Sequence, residues 1–339
     1  MRYKLFGRSG LRVSELCLGT MTFGTEWGTG ADYETSKQVF DAYANAGGNF
    51  LDTANRYTEG TSEKFTGEFI HSDRDHFVLA TKYTLYDRQD SPGFSGNHRK
   101  NMMRSVEASL RRLNTEYIDL LWVHAWDFTT PVEEVMRGLD DLVSAGKVHY
   151  IGISDTPAWI VSQANTIADF RGWSRFVGLQ VEYSLIQRTP ERDLLPMAKA
   201  LDLAVTPWGP LAGGALTGKY LKNKDEKGRI KEDSVRRNER STKIAETVVK
   251  VAEDLGASPA QVAVRWAMQQ NQTVIPIVGA RKLSQIEDSL GCVDIVIPEA
   301  QMKELNEVSA IALGFPHEFL AEDRVKQVIF GDTYSKIDF

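Results

Sequence analysis

From Leu16 onward, short apolar runs of strand length alternate with longer amphipathic stretches, and this alternation is the strongest constraint on the fold. Strands separated by helices cannot pair as hairpins. They line up in parallel, and a parallel sheet buries both faces under its own crossover helices. Counting from Leu16–Leu18 gives about eight such units, the number that closes a parallel barrel. The expected strands are Leu16–Leu18, Asn49–Asp52, Phe77–Lys82, Ile118–His124, Val148–Ile153, Phe176–Val181, Ala204–Pro207 and Val274–Pro276. Helices are expected over Thr35–Ala46, Ser62–Ile70, Asn101–Leu113, Pro131–Val143, Pro157–Phe170, Glu191–Leu201, Pro259–Gln270 and Glu299–Ala310. Gly47-Gly48 stops the first of these, and Pro131 suits the first turn of the fourth. Tyr3–Val13 reads as a β-hairpin turning at Arg8-Ser9-Gly10, placed to plug the barrel floor.

The expected fold is therefore an α/β (β/α)8 TIM barrel forming one domain over residues 1–339, with an N-terminal hairpin, a C-terminal helix and a tail. Two segments break the rhythm. Lys219–Lys243 is a charged run without apolar periodicity, too long for an ordinary connection, and reads as a lid or a solvated excursion. Phe315–Phe339 is a tail with a weak pattern.

Composition narrows the function classes. A net charge of −6 with no dense Lys/Arg stripe argues against a general affinity for nucleic acid. Cys17 and Cys292 are the only cysteines, too few for a disulfide framework and wrongly spaced for zinc. The first residues carry no apolar signal segment and no window approaches a membrane span, so the cytoplasm is the expected compartment.

Three of the expected strands end in titratable side chains. Asn49–Gly60, NFLDTANRYTEG, leaves its apolar run at Asp52 and places Tyr57 in the loop beyond. A second run closes on Lys82 and a third on His124. In barrel enzymes chemistry collects at the C-terminal ends of the strands. A tyrosine can act as a proton donor if something lowers its pKa from about 10, and Lys82 is the group placed to do so. Taken singly, such a tyrosine is an ordinary surface residue, the Asp/Lys pair an ordinary ion pair, and the histidine a core residue. The ordered set points to catalysis.

The motifs DTANRY, ATK and YIDLLWVH, in that order, resemble the aldo-keto reductase family, in its aryl-alcohol dehydrogenase-like, bacterial-type branch. The resemblance runs from Leu5 to about Gly291. It implies NADPH-dependent reduction of an aldehyde or ketone, reversible, with no metal. Tyr57 would be the acid, Lys82 would stabilise the phenolate, Asp52 would hold Lys82, and His124 would polarise the carbonyl. No G-x-G-x-x-G follows a strand, so a Rossmann site is not expected. The resemblance instead assigns the nicotinamide carboxamide to Ser154, Asp155 and Gln180. At Asp155 the family commonly carries asparagine, and an ionised aspartate can only accept. Trp208 would stack on the ring, within the segment Trp208-Gly209-Pro210-Leu211. Leu211, Gly213, Leu216 and Lys219 would close over the pyrophosphate. Gly279, Arg281, Gln285, Asp288 and Ser289 would take the adenosine end, with Arg281 on the 2′-phosphate. Ser289 stands where the family usually has asparagine.

The loops after the early strands carry Phe23, Trp27, Tyr83, Tyr86 and Trp126, which could wall an apolar substrate pocket or pack beneath the loops. Two further readings stay open at this point. One is a cofactor-binding regulatory subunit with little turnover. The other is an aldolase or lyase in which Lys82 forms a Schiff base. The partner expected is a small carbonyl or alcohol substrate; substrate identity and oligomeric state are not legible in the sequence.

Overall fold

The computed structural model of the 339-residue chain describes residues 1–222, 230, 234, 236–270 and 273–338. The elements follow one another as β1 Tyr3–Leu5, β2 Arg12–Ser14, β3 Cys17–Gly19, α1 Tyr33–Asn45, β4 Phe50–Asp52, α2 Thr61–Ile70, β5 Val78–Tyr83, α3 Arg99–Leu113 and β6 Ile118–Val123. They continue with α4 Val132–Ser144, β7 Val148–Ser154, α5 Ala158–Arg171, β8 Phe176–Glu182, α6 Leu194–Ala200, β9 Ala204–Trp208, α7 Lys219–Lys222, α8 Glu239–Leu255 and α9 Pro259–Met268. The last are β10 Ile277–Val278, α10 Leu283–Leu290, α11 Glu299–Val308, α12 His317–Ala321 and α13 Asp323–Phe330.

Strands β3 to β10 form one eight-stranded sheet in the order β10-β3-β4-β5-β6-β7-β8-β9, with every ladder parallel. A bridge between Val205 and Val274 joins β9 to the chain entering β10, so the sheet curls shut as the expected (β/α)8 barrel. The expected last strand, Val274–Pro276, is displaced. Val274 makes only that single bridge, and the ladder to β3 forms three residues later, at Ile277–Val278. Pro276 has no N–H to give a ladder.

Alternation along the strands divides the core in two. Inside the barrel lie Cys17, Phe50, Val78, Ala80, Leu120, Trp122, Ala204 and Ile275. The hairpin β1–β2 stands outside the sheet as expected and drives Phe6 into the barrel floor, edge-on to Phe50 at 5.5 Å and to Trp122 at 6.2 Å. Gly178 makes this possible: a Cβ there would sit 2.5 Å from the Phe6 ring. Outward-facing strand residues pack under the helices in two larger clusters. Both cysteines are free and buried.

One helix was illegible. Helix α8 begins at Glu239, inside the run Lys219–Lys243 that reads as an excursion. Asn238 and Ser241 close a reciprocal capping box there, and Ile244, Ala245, Val248, Val251 and Ala252 bury one face. The run also opens with the short α7; most of what remains of it lies outside the described residues. The expected helix Glu191–Leu201 is split, a 3-10 turn at Thr189–Glu191 preceding α6. The tail forms α12, α13 and a 3-10 segment, Gly331–Lys336. Its helices are too short for a clear period. Among the described residues no helix is long and apolar enough to cross a membrane.

Candidate active site

Adjacent parallel strands bring the titratable strand ends together. Asp52 ends β4 and pairs with Ala80 of β5; two residues on, Lys82 pairs with Trp122 of β6, which hands over to His124. Lys82 is fully buried. Its ammonium is ion-paired with Asp52 Oδ2 and donates to the Thr53 carbonyl at 2.9 Å and to Tyr57 Oη at 3.0 Å. The second oxygen of Asp52 accepts from Gln180 Nε2 at 3.0 Å, which ties the quartet across the barrel to β8. Behind Tyr57 the chain turns sharply: Thr58 and Glu59 are left-handed, with φ of 45° and 56°, and Thr58 Oγ1 donates to the Phe23 carbonyl at 2.6 Å. A turn of this kind is costly unless its surroundings fix it, and it sets the height of Tyr57.

Burial alone would lower the pKa of Lys82, but Asp52 and Tyr57 outweigh it and hold the ammonium above its ordinary value. For Tyr57 the balance is different from the expected one. Burial raises its phenol more than Lys82 lowers it, so the net shift is upward and the group stays protonated at neutral pH. Burial, with Lys82 second, pushes His124 well below the usual imidazole range, so its ring is neutral. That ring stands edge-on to Tyr57, 5.9 Å between centroids. A protonated phenol braced by a fixed cation, beside a neutral imidazole, suits proton donation to an oxygen that gains charge. A Schiff base needs a neutral, reachable amine, and Lys82 is neither.

Tyr57 and His124 stand at one end of a cavity of about 700 Å³ at the C-terminal mouth of the barrel. Its wall continues through Ser154, Asp155, Gln180 and Trp208, then along Gly209, Pro210, Leu211, Gly213 and Lys219. It ends at Gly279, Arg281, Gln285, Asp288 and Ser289. Of the residues expected to hold a cofactor, only Leu216 is off this wall, fully buried in the main core.

The wall fits a nicotinamide dinucleotide on several counts. Ser154 Oγ is buried and without a hydrogen-bond partner among the described residues, a donor in want of an acceptor. Gln180 spends its amide N–H on Asp52, which leaves its carbonyl oxygen to accept. Asp155 Oδ1 accepts from Trp208 Nε1 at 3.1 Å and so orients the half-exposed indole. Gly213 and Gly214 run left-handed, with φ of 69° and 97°, a turn that turns backbone toward a ligand. Arg281 stands just before α10, and no carboxylate pairs with it among the described residues. Asp288, by contrast, is engaged by Gln261.

The expected substrate wall is mostly elsewhere. Phe23 is fully buried against Phe69. Tyr83 follows the inward Lys82, so strand alternation turns it outward into the core, where its hydroxyl reaches the Asn97 carbonyl. Trp126 packs partly buried on the main core. Tyr86 is 37% exposed and outside the cavity, its hydroxyl accepting from Arg56. Trp27 alone of the five lines the cavity, edge-on to Tyr57 at 6.4 Å. The sequence reading missed Met21, Arg56, Leu85 and Arg236, all on the wall. Arg56 could have been found beside Tyr57 in the same motif. Arg236, which donates to Glu182 at 2.6 Å and lies over Trp208, gave no signal in a patternless charged run.

The family model described as "Aldo/keto reductase family" matches residues 15–310. Among relatives, an aryl-alcohol dehydrogenase [NADP(+)] of Phanerodontia chrysosporium is 42% identical over 91% of this chain and 86% of its own length. Norsolorinic acid reductase A of Aspergillus parasiticus is 38% identical, covering 93% of this chain and 82% of its own length. A putative aryl-alcohol dehydrogenase of Saccharomyces cerevisiae is 35% identical over 93% of this chain and 88% of its own length. With the barrel, the strand-end quartet and these matches together, the chain belongs to the aldo/keto reductase family, as an NADP(H)-dependent carbonyl oxidoreductase.

Proposed function

We propose that this chain reduces aromatic aldehydes or ketones to alcohols, reversibly, with Tyr57 as the proton donor. The observation that carries the reading is the closed chain of contacts from Asp52 through Lys82 to Tyr57 Oη, 3.0 Å from Nζ, at the inner end of the cavity. Bound NADPH supplies the hydride to the carbonyl carbon. Tyr57 gives its proton to the carbonyl oxygen, and Lys82 stabilises the phenolate that remains. Asp52 keeps Lys82 charged and fixed. The neutral His124 offers an N–H to the same oxygen and helps set the carbonyl's angle. Ser154, Asp155 and Gln180 would hold the carboxamide, and Trp208 would take the nicotinamide ring. Lys219 and the glycine turn would take the pyrophosphate, Arg281 the 2′-phosphate, and Gln285, Asp288 and Ser289 the adenine end.

The aromatic preference rests on Trp27 beside Tyr57 and on relatives named for aryl alcohols. The same reading makes residues 1–339 one reductase domain, working in the cytoplasm on a small-molecule substrate. The test is NADPH oxidation followed by absorbance across a carbonyl panel. Benzaldehyde-type compounds should show higher kcat/KM than short polyhydroxy aldehydes. Polyhydroxy aldehydes outperforming them would overturn the aromatic preference.

A further inference from the structure

The wall beside Tyr57 carries a cation that the proton-transfer chain does not use. Arg56 lines the cavity with its side chain only 17% exposed. Its guanidinium lies over two rings, 4.5 Å from the centroid of Tyr86 and 6.0 Å from that of Trp27. A guanidinium over an aromatic ring is attracted through its charge and keeps its N–H donors for hydrogen bonds. Two partners are in place. One terminal nitrogen is ion-paired with Glu59, and the other donates to Tyr86 Oη at 3.0 Å. Arginine has five donors, so two partners leave in-plane capacity.

Glu59 itself is committed elsewhere: its Oε1 accepts from Trp27 Nε1 at 3.1 Å. The left-handed backbone at Glu59 (φ 56°) holds it in that place. Glu59, Trp27, Arg56 and Tyr86 thus form one braced unit, with the guanidinium over both aromatic rings. Glu59 is 54% exposed, and a pair this open to water competes weakly with a second anion.

We propose that Arg56 is a specificity residue that binds an anionic group, a carboxylate or an ionised phenol, on the ring of an aryl carbonyl substrate. The proposal rests on the aryl-carbonyl reading above and adds the substituent that the site selects. A substrate ring lying against Trp27 with its carbonyl at Tyr57 would present a distal substituent to the wall that Arg56 occupies. A planar guanidinium recognises a carboxylate through two parallel N–H donors, which a lysine cannot reproduce.

The experiment compares 3- and 4-formylbenzoate with their methyl esters, in wild type, Arg56→Met and Arg56→Lys, with NADPH saturating. In wild type the better of the two acids should exceed its ester in kcat/KM by about tenfold or more, the scale of one charge-assisted contact. Arg56→Met should bring that ratio to near one, and Arg56→Lys should give an intermediate value. Because the ratio is taken within each protein, a general loss of activity cancels. Should Arg56→Met fail to fold, the wild-type ratio and Arg56→Lys still decide. Equal use of acid and ester by wild type, or a ratio that survives Arg56→Met, would overturn the proposal and leave the aryl-carbonyl reading standing. No turnover of acid, ester or benzaldehyde would instead end both.

Discussion

The two ends of the cavity are built differently. At the inner end the charged groups are already held by protein: Lys82 by Asp52, Thr53 and Tyr57, and Asp52 in turn by Gln180. At the outer end the polar groups have few protein partners. Arg281 has no carboxylate on it among the described residues, and Lys219 rests over the ring of Tyr220 at 4.7 Å. A network fixed before any ligand arrives is suited to stabilising charge that develops during a reaction. Groups that wait for a ligand supply affinity. Substitutions at the inner end should therefore change kcat and those at the outer end should change cofactor binding.

The largest effect tests the inner end. Tyr57→Phe removes one hydroxyl and the only proton donor the proposed mechanism uses, so kcat should fall by about 100- to 10,000-fold. The NADPH dissociation constant, read by fluorescence titration, should stay within about threefold, since that change is far below one charge-assisted contact. Turnover near wild type would show that another group delivers the proton. A matching loss in affinity would show that the two ends are not separable.

At the outer end, Arg281→Ala should weaken NADPH binding by about 1.5–3 kcal/mol, the range for a hydrogen bond to a charged group. NADH lacks the 2′-phosphate and should be affected much less, while kcat at saturating NADPH stays near wild type. Titrating both nucleotides against both proteins gives the double comparison. Equal weakening of the two would make Arg281 a structural residue of the α10 entrance.

The same contrast explains what was legible in the sequence. Asp52, Lys82 and His124 lie on or just past short apolar strands, and strand register fixes where neighbouring strand ends stand. Their convergence could be read from the alternation of elements alone. Arg236 reaches Trp208 from a charged run with no period, and no local rule says which arginine of such a run turns inward. The aromatic wall failed for a related reason. Tyr83 reads as an aromatic of the loop after Lys82, yet it is the last residue of β5, and adjacency on a strand means opposite faces. Arg56, adjacent to Tyr57 in a turn, keeps to the same wall because the backbone there is not extended. Helix α8 was missed because its first turn is as charged as the run before it. Its buried stripe begins only at Ile244, after the capping box.

The smallest effect concerns the seam between the two ends, where Asp155 meets Trp208. Asp155 is left-handed (φ 40°) and faces the open cavity. Burial raises its carboxyl above the ordinary value of 3.8; the hydrogen bond from Trp208 and the charge of Lys82 offset part of this, and Glu182 adds to the rise. The sign follows directly. As pH falls through this raised value, the carboxylate takes up a proton, loses its charge and becomes a weaker acceptor for the indole N–H and for the carboxamide N–H it would receive. NADPH binding by the wild type should therefore weaken as pH is lowered through a window that opens above 3.8. In Asp155→Asn no proton is taken up at this position, so the step should vanish. At neutral pH the two proteins should differ by only about 0.5–1.5 kcal/mol, the net scale of one ordinary hydrogen bond. Titration of the cofactor's own phosphate is common to both and cancels in their ratio. A ratio that stays flat with pH would mean that the protonation of Asp155 does not reach the cofactor.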